Sequence, residues 1–60
     1  MNAQNYLQVG QKVNNSGYEF SVISFLDYAP SMVEIQGASG ICVVDFRDLK
    51  LIGSDNFIGR

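Results

Sequence analysis

Four short runs rich in Val, Ile and Phe follow one another with only a few residues between them. They span residues 19–26, 32–36, 41–46 and 49–52. Gly, Pro, Ser and Asp separate the runs, and β-branched and aromatic residues at this spacing are typical of consecutive antiparallel strands. A shorter first strand is predicted at residues 11–14, before a tight turn of Asn15, Ser16 and Gly17. The pattern therefore predicts an all-β fold built from hairpins.

The run at residues 19–26 carries apolar side chains on both of its alternating sets. Phe20, Val22 and Leu26 fall on one set, and Ile23 and Phe25 fall on the other. Since successive side chains of a strand point to opposite faces, this strand is either covered on both faces or bent so that its inward side changes midway. A long, bent second strand is a feature of small closed barrels. We therefore predict a small, five-stranded, strongly bent antiparallel barrel.

The core of this barrel is predicted from the alternation of the strands. The residues expected to be mostly buried are Val22, Ile23, Phe25, Val33, Ile35, Val44, Leu49 and Leu51. A short amphipathic helix is predicted at residues 3–9, with Ala3, Tyr6 and Leu7 on one side. At the other end, Phe57 and Ile58 either add a short strand or fold back on the core.

The small size of the chain limits its stability. A domain of 60 residues buries only ~60% of the surface that its unfolded chain exposes. Disulfides, a metal or oligomerisation usually supplement such a core. Cys42 is the only cysteine and there is no His, so neither an internal disulfide nor an ordinary zinc site is expected. We therefore predict a homo-oligomer without metal or cofactor, with a marginally stable monomer as the alternative.

The charge of the chain and the motifs that it lacks limit the classes of function to be expected. The net charge is −2 with four Lys and Arg residues, whereas binding to duplex nucleic acid requires many phosphate-neutralising cations on one face. A nucleic-acid site in this chain must therefore be concentrated by assembly or depend on stacking. No His, activated nucleophile, Gly-rich phosphate loop or metal-ligand cluster is present, so we do not expect an enzyme. Without a secretory signal or an apolar run of about 20 residues, a cytoplasmic location is expected.

The strand pattern over residues 12–52 resembles the small barrel shared by Src-homology-3-like, Tudor-like and Sm-like proteins. Two segments resemble Sm-like proteins in particular. Residues 27–33 keep that family's Asp27, its spacing and its apolar pair, but Ser31 stands where the family has Asn. Residues 44–49 keep the length and the flanking apolar positions of the second block, but Asp45 and Phe46 stand in place of Arg-Gly.

This resemblance implies a nucleic-acid site. In Sm-like proteins the two loops lie side by side at the pore of a ring, where a base stacks on a side chain of the first loop and meets a cation of the second. By position, the site residues are Asp27, Tyr28 and Ser31 in the first loop and Phe46, Arg47 and Asp48 in the second. Tyr28 and Phe46 would stack on bases, and Arg47 would stack or bind phosphate. Alternatively, Tyr28 covers the core, Phe46 belongs to it, and Arg47 and Asp48 form a solvated turn.

Assembly is predicted from apolar residues that the core does not need. The fourth and fifth strands carry apolar side chains on both faces, and the predicted interface consists of Ile41, Val43, Leu51 and Ile52. Pairing the fourth strand of one copy with the fifth of the next would give a head-to-tail ring or filament. Alternatively, a flanking helix or the C-terminal tail covers Ile41 and Val43.

Two functions remain open from the sequence. The first is a ring-forming, Sm-like protein that binds single-stranded RNA or DNA through loops around the pore. The second is a small acidic protein–protein interaction module of phage or mobile-element origin, which docks on a host protein through an exposed strand edge.

Overall fold

The computed structural model describes residues 2–59 and contains one sheet of five antiparallel strands. The strands are β1 (Lys12–Asn15), β2 (Tyr18–Phe25), β3 (Met32–Gly37), β4 (Gly40–Asp45) and β5 (Lys50–Leu51). They lie in the order β4-β3-β2-β1-β5. The predicted all-β, five-stranded antiparallel fold is thus confirmed. Since β4 and β5 are the outermost strands, hydrogen bonds between strands do not close the sheet.

The β1–β2 hairpin forms at the predicted turn. Ser16 and Gly17 both adopt positive φ angles, 56° and 91°, which suit the right-handed twist of a two-residue hairpin. The Asn14 side-chain oxygen accepts the Gly17 N–H at 2.9 Å. This turn fixes a register in which Val13 lies opposite Phe20, so two buried side chains meet on the inner face.

Strand β2 bends at a bulge. Val22 pairs with Ile35 and Phe25 pairs with Val33, but the register shifts around Ile23. The extra residue moves the inward side from the even-numbered positions before the bulge to the odd-numbered ones after it. The prediction that the inward side of this strand changes midway is confirmed, and it explains why both of its alternating sets are apolar.

The core lies against one face of the sheet. Its buried members are Ala3, Leu7, Val13, Phe20, Val22, Val33, Ile35, Phe46, Leu49 and Ile58, with Phe25, Cys42 and Val44 packed against them. Most of the predicted core is confirmed, and Ile23 is half-buried at the bulge. The prediction was wrong for Leu51, which is 40% exposed. Leu51 lies opposite Val13, but it is the last residue of the two-residue strand β5, at the end of the sheet.

The N-terminal segment folds against the loop between β2 and β3. It forms a 3₁₀ helix at Ala3–Asn5, shorter than predicted, because isolated helices of this length are weak in water. The Ala3 N–H donates to the Pro30 carbonyl at 2.8 Å. Ala3 and Leu7 are buried, whereas Tyr6 is 41% exposed. The N-terminal segment therefore closes one end of the core.

The C-terminal segment returns to β5. Phe57 forms a single antiparallel bridge with Lys50, and the Ile58 N–H donates to the Leu49 carbonyl at 2.9 Å. Ile58 is only 8% exposed and belongs to the core. The segment therefore does both things considered from the sequence, since it extends the sheet by one bridge and folds back on the core.

Candidate functional site

The two loops of the predicted nucleic-acid site lie next to each other. The Phe46 N–H donates to the Ser31 carbonyl at 2.9 Å, directly beside the pair formed by Met32 and Asp45. A second 3₁₀ helix, Phe46–Asp48, starts here because the Asp45 carboxylate caps it by accepting the Arg47 N–H at 2.9 Å. The end of β4 and the start of β3 thus hold the two loops together.

Tyr28 is the most exposed of the large hydrophobic residues described, at 86%. The turn that carries it is closed by its backbone, with the Ala29 N–H donating to the Leu26 carbonyl at 3.2 Å. Asp27 beside it is exposed, and Ser31 is half-buried. The alternative in which Tyr28 covers the core is therefore wrong, and its ring faces are accessible to a stacking partner.

Phe46 cannot act as a stacking platform in this structure. Its side chain is fully buried, and its ring stacks on that of Tyr6, with centroids 5.0 Å apart and an interplanar angle of 20°. The stacking role that the resemblance implied for Phe46 is contradicted, and the alternative that placed it in the core is correct. Tyr6, predicted on one side of a short helix with Ala3 and Leu7, packs over Phe46 with part of its surface in solvent.

Arg47 is held by a carboxylate of its own chain. Its Nε donates to Asp45 Oδ1 at 3.1 Å and its Nη2 donates to Asp45 Oδ2 at 2.9 Å. These hydrogen bonds lower the pKa of Asp45 from 3.8 to about 2 and raise the pKa of Arg47. Asp48, also exposed, adds a second carboxylate to the same turn. The cation expected to meet a phosphate is therefore already paired.

The sequence interpretation did not identify Asp45 as the partner of Arg47. An Asp two residues before an Arg, at the start of a one-turn helix, is the only sequence signal of this pair, because Asp commonly caps helix N-termini. Arg47 also lies over the Phe46 ring, with Cζ 6.0 Å from the ring centroid. The second loop is thus a capped turn with an acidic balance.

The outer side of β4 is open. Ile41 and Val43 are 57% and 46% exposed, whereas Cys42 and Val44 alternate with them and are half-buried against the core. The second apolar set predicted for this strand is therefore present, and within the single chain it is uncovered. The alternative in which a helix or the C-terminal tail covers these side chains is wrong.

The hydrogen-bond pattern shows which backbone groups of β4 point outward. Residues of an antiparallel strand direct their N–H and C=O groups to the two sides in alternation. The Phe46 N–H points toward β3, because it donates to the Ser31 carbonyl. Residues 40, 42 and 44 must then also point toward β3, and residues 41, 43 and 45 point away from it. Ile41 and Val43 therefore combine an exposed apolar side chain with outward backbone groups.

The outer side of β5 is different. Leu51 and Ile52, which belong to the predicted interface, are 40% and 51% exposed. However, Phe57 and Ile58 occupy the backbone side of β5 that faces away from β1. A ring that pairs β4 of one copy with β5 of the next therefore requires this segment to leave β5.

Comparison of the chain with protein-family models, with curated proteins and with solved structures found no match. Within residues 2–59, no three His, Cys, Asp or Glu side chains group in a way that would hold a metal ion. Nor does that part of the chain contain a helix with the length and apolar character needed to cross a membrane. Function must therefore be inferred from the loops and the sheet edge.

Proposed function

We propose that this chain is a small protein–protein interaction module that self-associates through β4. The observation that carries the proposal is the coincidence, at Ile41 and Val43, of exposed apolar side chains and outward backbone groups. A strand added to such an edge gains main-chain hydrogen bonds, and the alternate side chains supply apolar contacts.

The edge has none of the features that usually prevent strand addition. Natural edge strands are commonly protected by Lys, Pro, a bulge or very short length. β4 runs for six residues from Gly40 to Asp45 without Lys or Pro, and its pairing with β3 is regular throughout. Its single charged residue, Asp45, is paired with Arg47. The strand is therefore free of bulges, mostly apolar and accessible, as an edge that receives another strand must be.

Amide hydrogen exchange tests this proposal within a single strand. In dilute protein, the outward N–H groups of Ile41 and Val43 should exchange fast, whereas those of Cys42 and Val44, bonded to β3, should exchange slowly. At tens of micromolar and above, the amides of Ile41 and Val43 should become protected. Cys42 and Val44 serve as the internal control. Exchange at Ile41 and Val43 that does not change with protein concentration would contradict the proposal.

A second candidate function is single-stranded RNA or DNA binding at Tyr28, favoured by the 86% exposure of its side chain. Stacking on an exposed aromatic ring contributes about 1–3 kcal/mol per base, and assembly would repeat the ring in each copy. We expect Tyr28→Ala to weaken oligouridine binding without altering its salt dependence, because stacking releases no counterions. Tyr18→Ala is the matched control, since Tyr18 is 72% exposed in β2.

Arg47 separates the two candidate functions further. If a nucleic acid bound through this turn, phosphate would have to compete with the Asp45 carboxylate, which already accepts two hydrogen bonds from the guanidinium. We therefore expect Arg47→Ala to change the salt dependence of oligouridine binding only slightly. Binding titrations at low and high salt measure this directly. Absence of oligouridine binding at low salt would exclude the second candidate and leave the first intact.

A further inference from the structure

We infer that two copies of the chain associate by pairing β4 with β4, antiparallel and about a two-fold axis, with Cys42 of one copy opposite Cys42 of the other. This inference rests on the proposed function and specifies its partner and geometry. It differs from the ring predicted from the sequence, in which β4 would pair with β5.

One edge of the sheet is occupied and the other is open, which favours a second β4 as the partner strand. The outer side of β5 is occupied by Phe57 and Ile58 of the same chain. Among residues 2–59, no strand lies beyond β4. An interface that uses the same strand in both copies is isologous, so it consumes both open edges and closes at two copies.

The register follows from the alternation along β4. Residues with outward backbone groups must pair with each other, which is the case when Ile41 lies opposite Val43 of the second copy and Val43 opposite its Ile41. The arrangement is centred on Cys42. Centring on Val43 instead would put Ile41 opposite Asp45, and centring on Ile41 would put Val43 opposite Ser39. Only the arrangement centred on Cys42 brings the two exposed apolar side chains of each copy together.

Charge does not oppose this pairing. Asp45 is the only charged residue of β4, and in the register centred on Cys42 it lies opposite the exposed, neutral Ser39 of the second copy. Its carboxylate is also paired with Arg47 of its own chain at 2.9 Å. The two carboxylates therefore do not face each other, and no charge is buried between the apolar pairs.

Cys42 reports on this register. In an antiparallel sheet, residues opposite each other without mutual hydrogen bonds have Cα atoms about 4.5 Å apart, within the range of about 4.4–6.8 Å that a disulfide spans. The thiol is free and half-buried. Diamide should therefore link the two copies, because the two thiols give up two electrons and two protons to the diazene and form one S–S bond.

The test combines crosslinking with sedimentation of the full chain. Wild type should sediment as a dimer at tens of micromolar, and diamide should convert most of it to a covalent dimer. Cys42→Ser should remain a dimer that is not crosslinked. Val43→Lys should be folded by circular dichroism, sediment as a monomer and lose most of the crosslink, because Lys on an edge strand opposes pairing and replaces an apolar contact with a charge. Val9→Lys, the same change at a site 63% exposed outside the sheet, should behave like wild type.

The possible failures are distinguishable. An assembly larger than two copies that dissociates with Val43→Lys but does not crosslink through Cys42 would overturn the two-fold pairing and leave the β4 interaction function standing. A chain that stays monomeric at these concentrations, with unchanged exchange at Ile41 and Val43, would overturn both. Crosslinking that Val43→Lys leaves unaffected would be collisional and would also overturn the inferred register.

Discussion

Strands β4 and β5 are the two edge strands of the sheet, but a further segment of the chain lies along the outer edge of β5 and none lies along β4 among residues 2–59. β5 has two residues, Lys50 and Leu51, and the segment around Phe57 and Ile58 lies along it. β4 has six residues, and its outer side faces solvent. Both devices on β5, short length and a covering segment, are common protections of sheet edges, and β4 has neither.

This difference shows that exposed apolar side chains alone do not identify an interface. Ile41, Val43, Leu51 and Ile52 are all at least 40% exposed, so by side-chain exposure the two edges are alike. The backbone distinguishes them, because only β4 combines these side chains with a row of outward N–H and C=O groups. A partner strand gains both kinds of contact at β4 and only side-chain contacts at β5.

The largest expected effect is a difference in stability between two Ile→Ala variants of the β3–β4 hairpin, one in the core and one at the sheet edge. Ile35→Ala, in the fully buried middle of β3, should lower the free energy of unfolding by about 2–4 kcal/mol through lost transfer energy and a cavity. Ile41→Ala, on the exposed side of β4, should change it by less than about 0.5 kcal/mol in dilute protein. Urea denaturation of both variants measures the difference. Similar losses would mean that the edge residue serves the fold and not an interface.

A smaller effect is expected when the cover of β5 is weakened. Ile58→Ala should cost about 2 kcal/mol, at the low end for a buried Ile, because Ile58 lies at the margin of the core with 8% exposure. If the variant stays folded, β5 becomes a second open edge, and sedimentation should show species larger than those of wild type. Unchanged assembly would show that Phe57 and Ile58 are not what keeps β5 from pairing.

The smallest effect concerns the end of β4. Because Arg47 holds the pKa of Asp45 at about 2, below its ordinary value of 3.8, the pair stabilises the folded state above the higher value, and this contribution is lost as the pH falls toward the lower one. The side chain of Arg47 is 47% exposed, so solvent screens the pair and the loss of stability should be small. Carbon-13 titration of the Asp45 carboxyl should give a midpoint near 2 that moves toward 3.8 in Arg47→Ala.

Local patterns in the sequence predicted the features that depend on alternation. The two apolar sets around Ile23 and Phe25 indicated the bend of β2, and the Ile41 and Val43 pattern indicated a second apolar face on β4. Features that depend on distant packing were not predictable in this way. The sequence indicated that Phe57 and Ile58 pair or fold back, but no local pattern tells that the Ile58 N–H bonds to Leu49, or that Tyr6 packs over Phe46.

The candidate site shows the same division. Tyr28 lies in a turn rich in polar residues and Pro, and its exposure agrees with the stacking role proposed for it by position. The role of Phe46 depends on Tyr6, which is distant in sequence, and the role of Arg47 depends on Asp45, two residues before it. The position of a residue in a family pattern does not reveal such neighbours. Arg47 is hydrogen-bonded to Asp45 and Phe46 is buried in the core. Of the three side chains predicted to contact a base or phosphate, two therefore already interact within the chain.

The pairing of β1 with β5 joins segments that lie far apart in the chain. Val13 of β1 lies opposite Leu51 of β5, 38 positions further along the chain. Leu7 and Ile58 belong to the same core as Val13. Contacts between such distant parts of a chain form late in folding because a long loop must close first. Until residues 50 and 51 are available, the outer backbone of β1 is therefore as bare as that of β4. Until residue 58 is available, the outer backbone of β5 is bare instead, so the incomplete chain presents two open edges where residues 2–59 present one.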